Sequence, residues 1–195
     1  MTLLLKNNTS YYKEKFSGFT FTNYSIQNSE FENCIFEKCI FIESIFNNCR
    51  FIDTSFSDCS VSANKPYNSQ FVNVVFKDSK VMGFDWTKAK NVRLLSFERC
   101  NISYSNFSYI KLSELKLLEC VAKEVNFNEA DLSNGIFTKT DFSGSVFSQT
   151  NLTKADFSQA FNYGIDVNFN TIKKAKFSLP EAASLLKSLD IVLEE

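Results

Sequence analysis

The stretch Phe31–Phe56, FENCIFEKCIFIESIFNNCRFIDTSF, decides the fold. A phenylalanine falls on every fifth residue: Phe31, Phe36, Phe41, Phe46, Phe51 and Phe56. Two residues before each stands something small: Ser29, Cys34, Cys39, Ser44, Cys49 and Thr54. A helix repeats at 3.6 residues and a strand at two, so a period of five fits neither. On a helix these rings would spiral around the rod, and on a strand they would alternate sides. If five residues make one short side plus a corner, four units close a square coil. The large residue then points inward, and so does the small one two places earlier, because side chains on one strand alternate.

The pattern continues outward in both directions. Phe16, Phe21 and Ile26 lead into it, and most of the 22 phenylalanines keep its register. The second half carries Ala130–Asp131–Leu132, Thr140–Asp141–Phe142, Thr150–Asn151–Leu152 and Ala155–Asp156–Phe157. This order of small, polar and large residues resembles the pentapeptide-repeat family. The resemblance implies an all-β solenoid, a right-handed quadrilateral parallel β-helix of about eight coils with a short C-terminal α-helix. Its core ladder would include Phe31, Phe36, Phe41, Phe46, Phe51 and Phe56, then Phe127, Leu132, Phe137, Phe142, Phe147, Leu152 and Phe157. Eight coils at a strand spacing of ~4.8 Å give a rod of roughly 38 Å.

Residues 1–15 read as an N-terminal cap, with Leu3, Leu4, Leu5, Tyr11 and Tyr12 covering the open strand edges of the first coil. Residues 16–177 read as the β-helix. Pro66 takes a large inward position and cannot donate to a ladder, so residues 62–69 are expected to bow outward or distort one face. Trp86 to Val92 spans six residues, which places one extra residue within 87–91 as a surface bulge. Ser143, Ser148 and Ser158 follow the large residue, where short polar side chains can bond the corner backbone. Around 161–170 the motif lapses, with Asn162 in the large position, and a loop is expected. Val167, Ile172 and Phe177 keep phase.

Residues 178–195 read as a capping and dimerisation helix with its tail. Ser178–Leu179–Pro180–Glu181 is a capping-box pattern. Leu179, Ala182, Ala183, Leu186 and Leu189 form an α-helical stripe suited to covering the last coil. Leu185, Ile191, Val192 and Leu193 are left over for a second copy, and Leu186 and Leu189 join them as candidate dimerisation residues.

Composition narrows the function. The chain has 195 residues, 44% of them hydrophobic, enough for one domain with a sizeable core. Its formal charge of −1 excludes a simple electrostatic nucleic-acid binder, so no direct nucleic-acid partner is expected. The apolar run at the N-terminus ends at Lys6, too short for a secretory signal, and no run approaches the roughly 20 residues of a membrane span. A cytoplasmic location without membrane contact is expected. The six cysteines, Cys34, Cys39, Cys49, Cys59, Cys100 and Cys120, all take the small inward position and read as buried free thiols. Zinc would want close Cys-x-x-Cys pairs, and stacked parallel side chains approach poorly for a disulfide.

There is no histidine, no Gly-rich phosphate loop and no Gly-x-Ser-x-Gly. Glu30 with Glu32 reads as a solvated pair of charges. No catalysis, cofactor, metal or small-molecule substrate is expected.

Shape and surface remain. A uniform rod gives a partner little to distinguish, so the irregular stretches are the recognition candidates, or else tolerated faults of the repeat. They supply Asn64, Lys65 and Tyr67, then Asp85, Lys88, Lys90 and Arg93. Trp86 is expected in the core, and the basic cluster beside it also reads as a solvated face.

In length, in its broken central coils and in SLPEAASLLKSLDIVL, the chain is similar to the quinolone-resistance (Qnr-type) branch of the family. That resemblance implies a homodimer joined through the C-terminal helix. It implies binding to DNA gyrase and topoisomerase IV, as a DNA mimic, with protection from fluoroquinolones. The near-neutral charge and the absence of long projecting loops depart from that branch. An acidic stripe built on Glu30, Glu32, Glu37, Glu43, Asp53 and Asp58 would favour mimicry. Mixed charge on all faces would favour a structural or protein-interaction scaffold with another partner. Immunity to a gyrase-directed peptide toxin would use the same surface.

Overall fold

Phe31 lies in parallel register between Tyr11 and Phe51, each 20 residues away, and Phe36 lies likewise between Phe16 and Phe56. One coil is therefore four five-residue sides. The computed structural model describes residues 5–189 and Ile191. The chain is a four-sided parallel β-solenoid of about eight coils with one short helix. The Phe31 face stacks Ser10–Tyr12, Glu30–Glu32, Arg50–Ile52, Gln70–Val72 and Asn91–Arg93. The Phe36 face stacks six strands, from Lys15–Ser17 to Lys116–Leu118. The Phe41 face has three strands and continues as single bridges, and the Phe46 face has two strands, then single bridges, then the Val146–Phe147 and Gly164–Ile165 pair.

The middle residue of each strand points in and its neighbours point out. Every member of the expected ladder, from Phe31 to Phe157, is buried. The rings stack coil on coil: Phe36 sits 4.8 Å from Phe16 and 4.7 Å from Phe56, with planes 16° and 6° apart. Adjacent faces meet edge to face, as Phe31 and Phe36 do at 5.4 Å.

The small position does more than save space. Ser69 Oγ accepts from the Cys49 amide at 2.9 Å and donates to the Phe46 carbonyl at 2.9 Å. Ser44, Thr54, Ser79, Ser105, Thr140, Ser145 and Thr150 make one or both of these bonds in their own coils. All six cysteines are free and buried in this position. Burial pushes the Cys100 and Cys120 thiols up, to about 11 and about 12. A thiol hydrogen bond with Cys39, together with burial, pushes Cys59 up.

Corners turn on a residue with positive φ two places after the large one, such as Asn33 at 54° and Asp53 at 50°. Asn, Asp and Gly suit that region. Asx residues before the large one bond some of these corners. Asn126, Asp131, Asp141, Asn151 and Asp156 accept, at 2.9–3.1 Å, from the amide two residues on. At several of them the turn closes, as in Leu132 O to Gly135 N at 3.1 Å, and the side is held by one bridge; Lys111 and Ile136 head the same closed turn without an Asx side chain. The sides at Glu30, Ile35, Ile40 and Arg50 extend to three residues. The corner backbone is thus bonded by the Asp or Asn side chain and not by the serines. Ser143 Oγ donates to Asp141 Oδ1 at 2.6 Å, and Ser148 follows Val146, which cannot accept.

The irregular stretches differ from expectation in instructive ways. Pro66 is buried and the face does not bow out: Ile45 and Lys65 still bridge, and the Lys65 carbonyl accepts from Phe46 N at 3.0 Å. Proline loses only its own donor, so the ladder shortens without breaking. Residues 161–170 are not simply a loop. Gly164–Ile165 pairs with Val146–Phe147, so Ile165 takes the inward place expected of Val167. Tyr163 fills the interior beside it, and Asn162 is exposed. Asn170 restores phase: its side chain accepts from Thr150 N and donates to Phe147 O, both at 3.0 Å.

At the N-terminus Tyr11 belongs to the ladder, stacked on Phe31 at 5.1 Å, while Leu5 is buried and Tyr12 is exposed. Leu3 and Leu4 lie outside the described residues.

The C-terminal helix, Glu181–Leu189, winds as a 3-10 helix and not as an α-helix. At three residues per turn, Ala182, Leu185 and Ser188 share one face. Leu185 packs on the core, whereas Leu179, Leu186 and Leu189 are exposed. The leucines of the α-helical stripe expected to cover the last coil therefore point away from it, while Ala182 stays on the covering face. The capping box is also absent. Ser178 Oγ accepts from Gln159 N at 3.1 Å and Glu181 Oε1 from Asn162 N at 2.6 Å. Those side chains satisfy the open edge of the last coil instead of the helix start.

Candidate partner-binding surfaces

Asn64 is not a surface contact. It is 1% exposed and takes the small inward position before Pro66. Its Oδ1 accepts from Ser44 N at 2.6 Å and its Nδ2 donates to Phe41 O at 3.0 Å. An amide in that place makes both bonds that a serine makes elsewhere. Lys65 and Tyr67 remain exposed on the neighbouring corner.

The inserted residue builds the second irregular region. Phe84 and Trp86 occupy a small and a large position with ring centroids 4.2 Å apart, both buried. Two large side chains need a wider coil, and Val81 and Val92, inward on the flanking faces, are smaller than phenylalanine. The backbone widens through a 3-10 turn, Trp86–Lys88. Asp85 holds that turn: its Oδ1 accepts from Thr87 N at 3.2 Å and Thr87 Oγ1 at 2.6 Å. Lys88 Nζ is 3.9 Å from Asp85 Oδ2. Asp85 and Lys88 are thus engaged within the turn, while Lys90 and Arg93 are exposed and outside the observed ion pairs.

Above this turn lies a groove of about 310 Å³, with Trp86, Lys90, Asn91, Ser108, Tyr109 and Lys111 in its lining. Trp86 Nε1 is buried without a hydrogen-bond partner among the described residues. Tyr104 and Tyr109 sit on the two corners flanking Phe107, 58% and 71% exposed, each at φ 62°. A bulky ring is unusual in that region. Tyr104, Tyr109 and Lys111 were not among the sequence candidates. The signal was there to read: a large aromatic at the corner position, which elsewhere mostly holds Asn, Asp, Glu, Lys or Gly.

The outer charges alternate in sign and pair from coil to coil. Arg50 meets Glu30 at 2.9 Å, Lys15 meets Glu37 at 3.1 Å, Lys77 meets Glu98 at 3.2 Å and Lys139 meets Glu119 at 3.2 Å. Arg99 bonds Asp78 at 2.6 Å and also bonds Glu98. The Lys15 hydrogen bond holds Glu37 below the usual carboxylate range, and Arg99 does the same for Asp78 and Glu98. Glu30 and Glu37 of the expected acidic stripe are therefore neutralised locally, while Glu32, Glu43, Asp53 and Asp58 are in none of these ion pairs. On the Phe46 face an asparagine ladder replaces charge: Asn48 Nδ2 donates to Asn28 at 2.8 Å, and Asn28 to Asn8 at 2.9 Å.

At the C-terminal end Leu186, Leu189 and Ile191 are exposed, while Leu185 is turned inward. Val192 and Leu193 lie outside the described residues. Among the described residues no group of His, Cys, Asp or Glu is arranged to hold a metal ion, and no helix is long and apolar enough to cross a membrane.

Two descriptions of this family match the sequence. Pentapeptide repeat region matches residues 29–107, and Pentapeptide repeats (8 copies) matches residues 126–161, together more than half of the chain. The chain belongs to the pentapeptide-repeat family. Among solved structures it is similar to a trypsin-treated variant of QnrB1, a plasmid-mediated fluoroquinolone resistance protein. The TM-score is 0.65 and the identity 19%, covering 95% of this chain and 99% of that one. Full-length QnrB1 gives a TM-score of 0.59 at 22% identity, covering 93% and 100%. HetL, involved in heterocyst differentiation regulation in the cyanobacterium Nostoc sp. strain PCC 7120, gives 0.69 at 12% identity, covering 87% and 85%. These likenesses establish the fold. A comparison with curated proteins found no match.

Proposed function

We propose that this protein is a non-catalytic, partner-binding rod, and that its partner is a bacterial type II topoisomerase, DNA gyrase or topoisomerase IV, in the cytoplasm. The observation that carries the reading is the end-to-end correspondence with QnrB1, 95% of one chain on 99% of the other. Each coil a partner of QnrB1 would meet has a counterpart here. Recognition by DNA mimicry is disfavoured, because cation–carboxylate pairs at Glu30, Glu37, Asp78 and Glu98 weaken the field a mimic needs. Binding then rests on shape and on the irregular coils. The test is gyrase supercoiling with ciprofloxacin across a concentration series of this protein. Rescue near stoichiometric protein supports the reading. No effect at any concentration overturns the topoisomerase partner and leaves the second reading, a scaffold for another protein, which the mixed charge favours.

The rod is proposed to act as a homodimer through its C-terminal end. Leu186, Leu189 and Ile191 present apolar surface there, and burying such surface favours association. Leu186→Asp is expected to halve the mass in light scattering and leave the melting temperature within a few degrees. Leu185→Asp, placed on the core, is expected to lower the melting temperature as well. An unchanged mass for Leu186→Asp would remove the dimer from the proposal.

A further inference from the structure

We propose that the groove over the inserted residue is the docking site for a short acidic segment of a protein partner; this rests on the reading of the protein as a partner-binding rod. Three observations on the same few residues carry it. The groove is about 310 Å³, room for a few side chains and not for a folded surface. Lys90 and Lys111 are in its lining, no carboxylate is, and neither lysine takes part in the ion pairs that occupy Lys15, Arg50, Lys77, Arg99 and Lys139 elsewhere on the rod. Tyr109, 71% exposed, stands in the lining in a backbone region that bulky residues avoid.

The repeat demands positive φ at that corner, and Asn or Gly would meet the demand with less strain. A tyrosine there spends stability on an exposed ring, which is the residue type that anchors interfaces. Two cations beside an exposed aromatic ring complement a carboxylate flanked by apolar or aromatic side chains. A long polyanion suits the site less well. Glu114 and Glu129 stand on corners of the same and the next coil, and a nucleic-acid backbone tracking past the groove would meet them.

Trp86 is the single tryptophan of the chain and is buried next to the groove, so its emission is a probe adjacent to the site. The full chain is titrated with the peptide Glu-Glu-Phe-Glu-Glu at low and moderate salt. The expected result is a saturable change in Trp86 emission that weakens as salt rises. The double variant K90E/K111E is expected to weaken binding by about tenfold or more while melting as the parent does. Tyr109→Asn, which keeps a residue tolerant of positive φ, is expected to weaken it by about threefold without loss of fold. Three results overturn the proposal: no saturable change, equal affinity in K90E/K111E, or tighter binding of an oligothymidylate strand than of the peptide. Gyrase rescue retained by K90E/K111E with peptide binding lost separates the two claims, leaving the topoisomerase reading and removing the groove from it. Peptide binding without any effect on gyrase does the reverse.

Discussion

Phe36→Ala is expected to destabilise the protein by about 3–5 kcal/mol, the range for a large aromatic removed from a packed core. Phe36 is 1% exposed, stacked between Phe16 and Phe56 and set edge-on to Phe31 and Phe41. Removing it leaves a ring-sized gap midway through one ladder. The rings above and below cannot close that gap, because the coil spacing is fixed by backbone hydrogen bonds between coils, such as Ser55 N to Cys34 O at 3.0 Å. Phe41→Ala belongs in the same range, with a stacked ring on one side only, Phe21 at 5.0 Å. Phe177, half-buried in the last described coil, should lose about half as much. Urea unfolding of the three variants checks the order. A loss below about 1 kcal/mol for Phe36→Ala would mean that the ladder is not what holds the rod together.

Asn64→Ala is expected to cost about 2–4 kcal/mol, although the residue is polar and lies in an irregular stretch. The change strands two buried backbone groups, Ser44 N–H and Phe41 C=O, which are 20 and 23 residues from Asn64 in sequence. Each unpaired buried group costs about 1–3 kcal/mol. Asn64→Ser should recover part of the loss, since Ser69 makes the equivalent pair of bonds one corner on. Unfolding curves for both variants decide the matter. Full stability in Asn64→Ala together with lost partner binding would restore Asn64 to the surface.

The regular coils were legible because their signal is local and repeated. Phe31 to Phe56 states the same inward pair six times, and the family resemblance supplied the four-sided path that puts all of those rings inside. The insertion near Thr87 could also be counted directly from Trp86 to Val92. Errors fell where a residue's role depends on the coil next to it. Asn64 looks like a loop residue until Ser44 and Phe41 are known to flank it. Ser178 and Glu181 match a helix cap by spacing, yet their nearest open donors belong to Gln159 and Asn162 in the coil before. Val167 lies at the right count, but Tyr163 and Ile165 reach the interior first and leave it outside.

The candidate surfaces divide in the same way. Lys90 and Arg93 could be picked out as charges beside a break in the repeat. Tyr109 and Lys111 join Lys90 only because the next coil stacks over the inserted residue, about one turn later in sequence. The charge pattern was also beyond reach of composition, since a net charge of −1 is compatible with a segregated or an interleaved surface.

By itself, then, the sequence determined the period, the inward ladder of large and small residues and its interruptions, because five-residue spacing with a small partner two places earlier puts both on one side of a strand. The four-sided coil was implied by the family resemblance and is seen in the 20-residue register. Tertiary structure alone decided the 3-10 winding of the last helix, the inward turn of Leu185, the interior place of Asn64 and the pairing of opposite charges. Each of these follows from contacts between residues about 20 apart, where hydrogen bonds and packing across coils outweigh the local preferences that a linear reading can see.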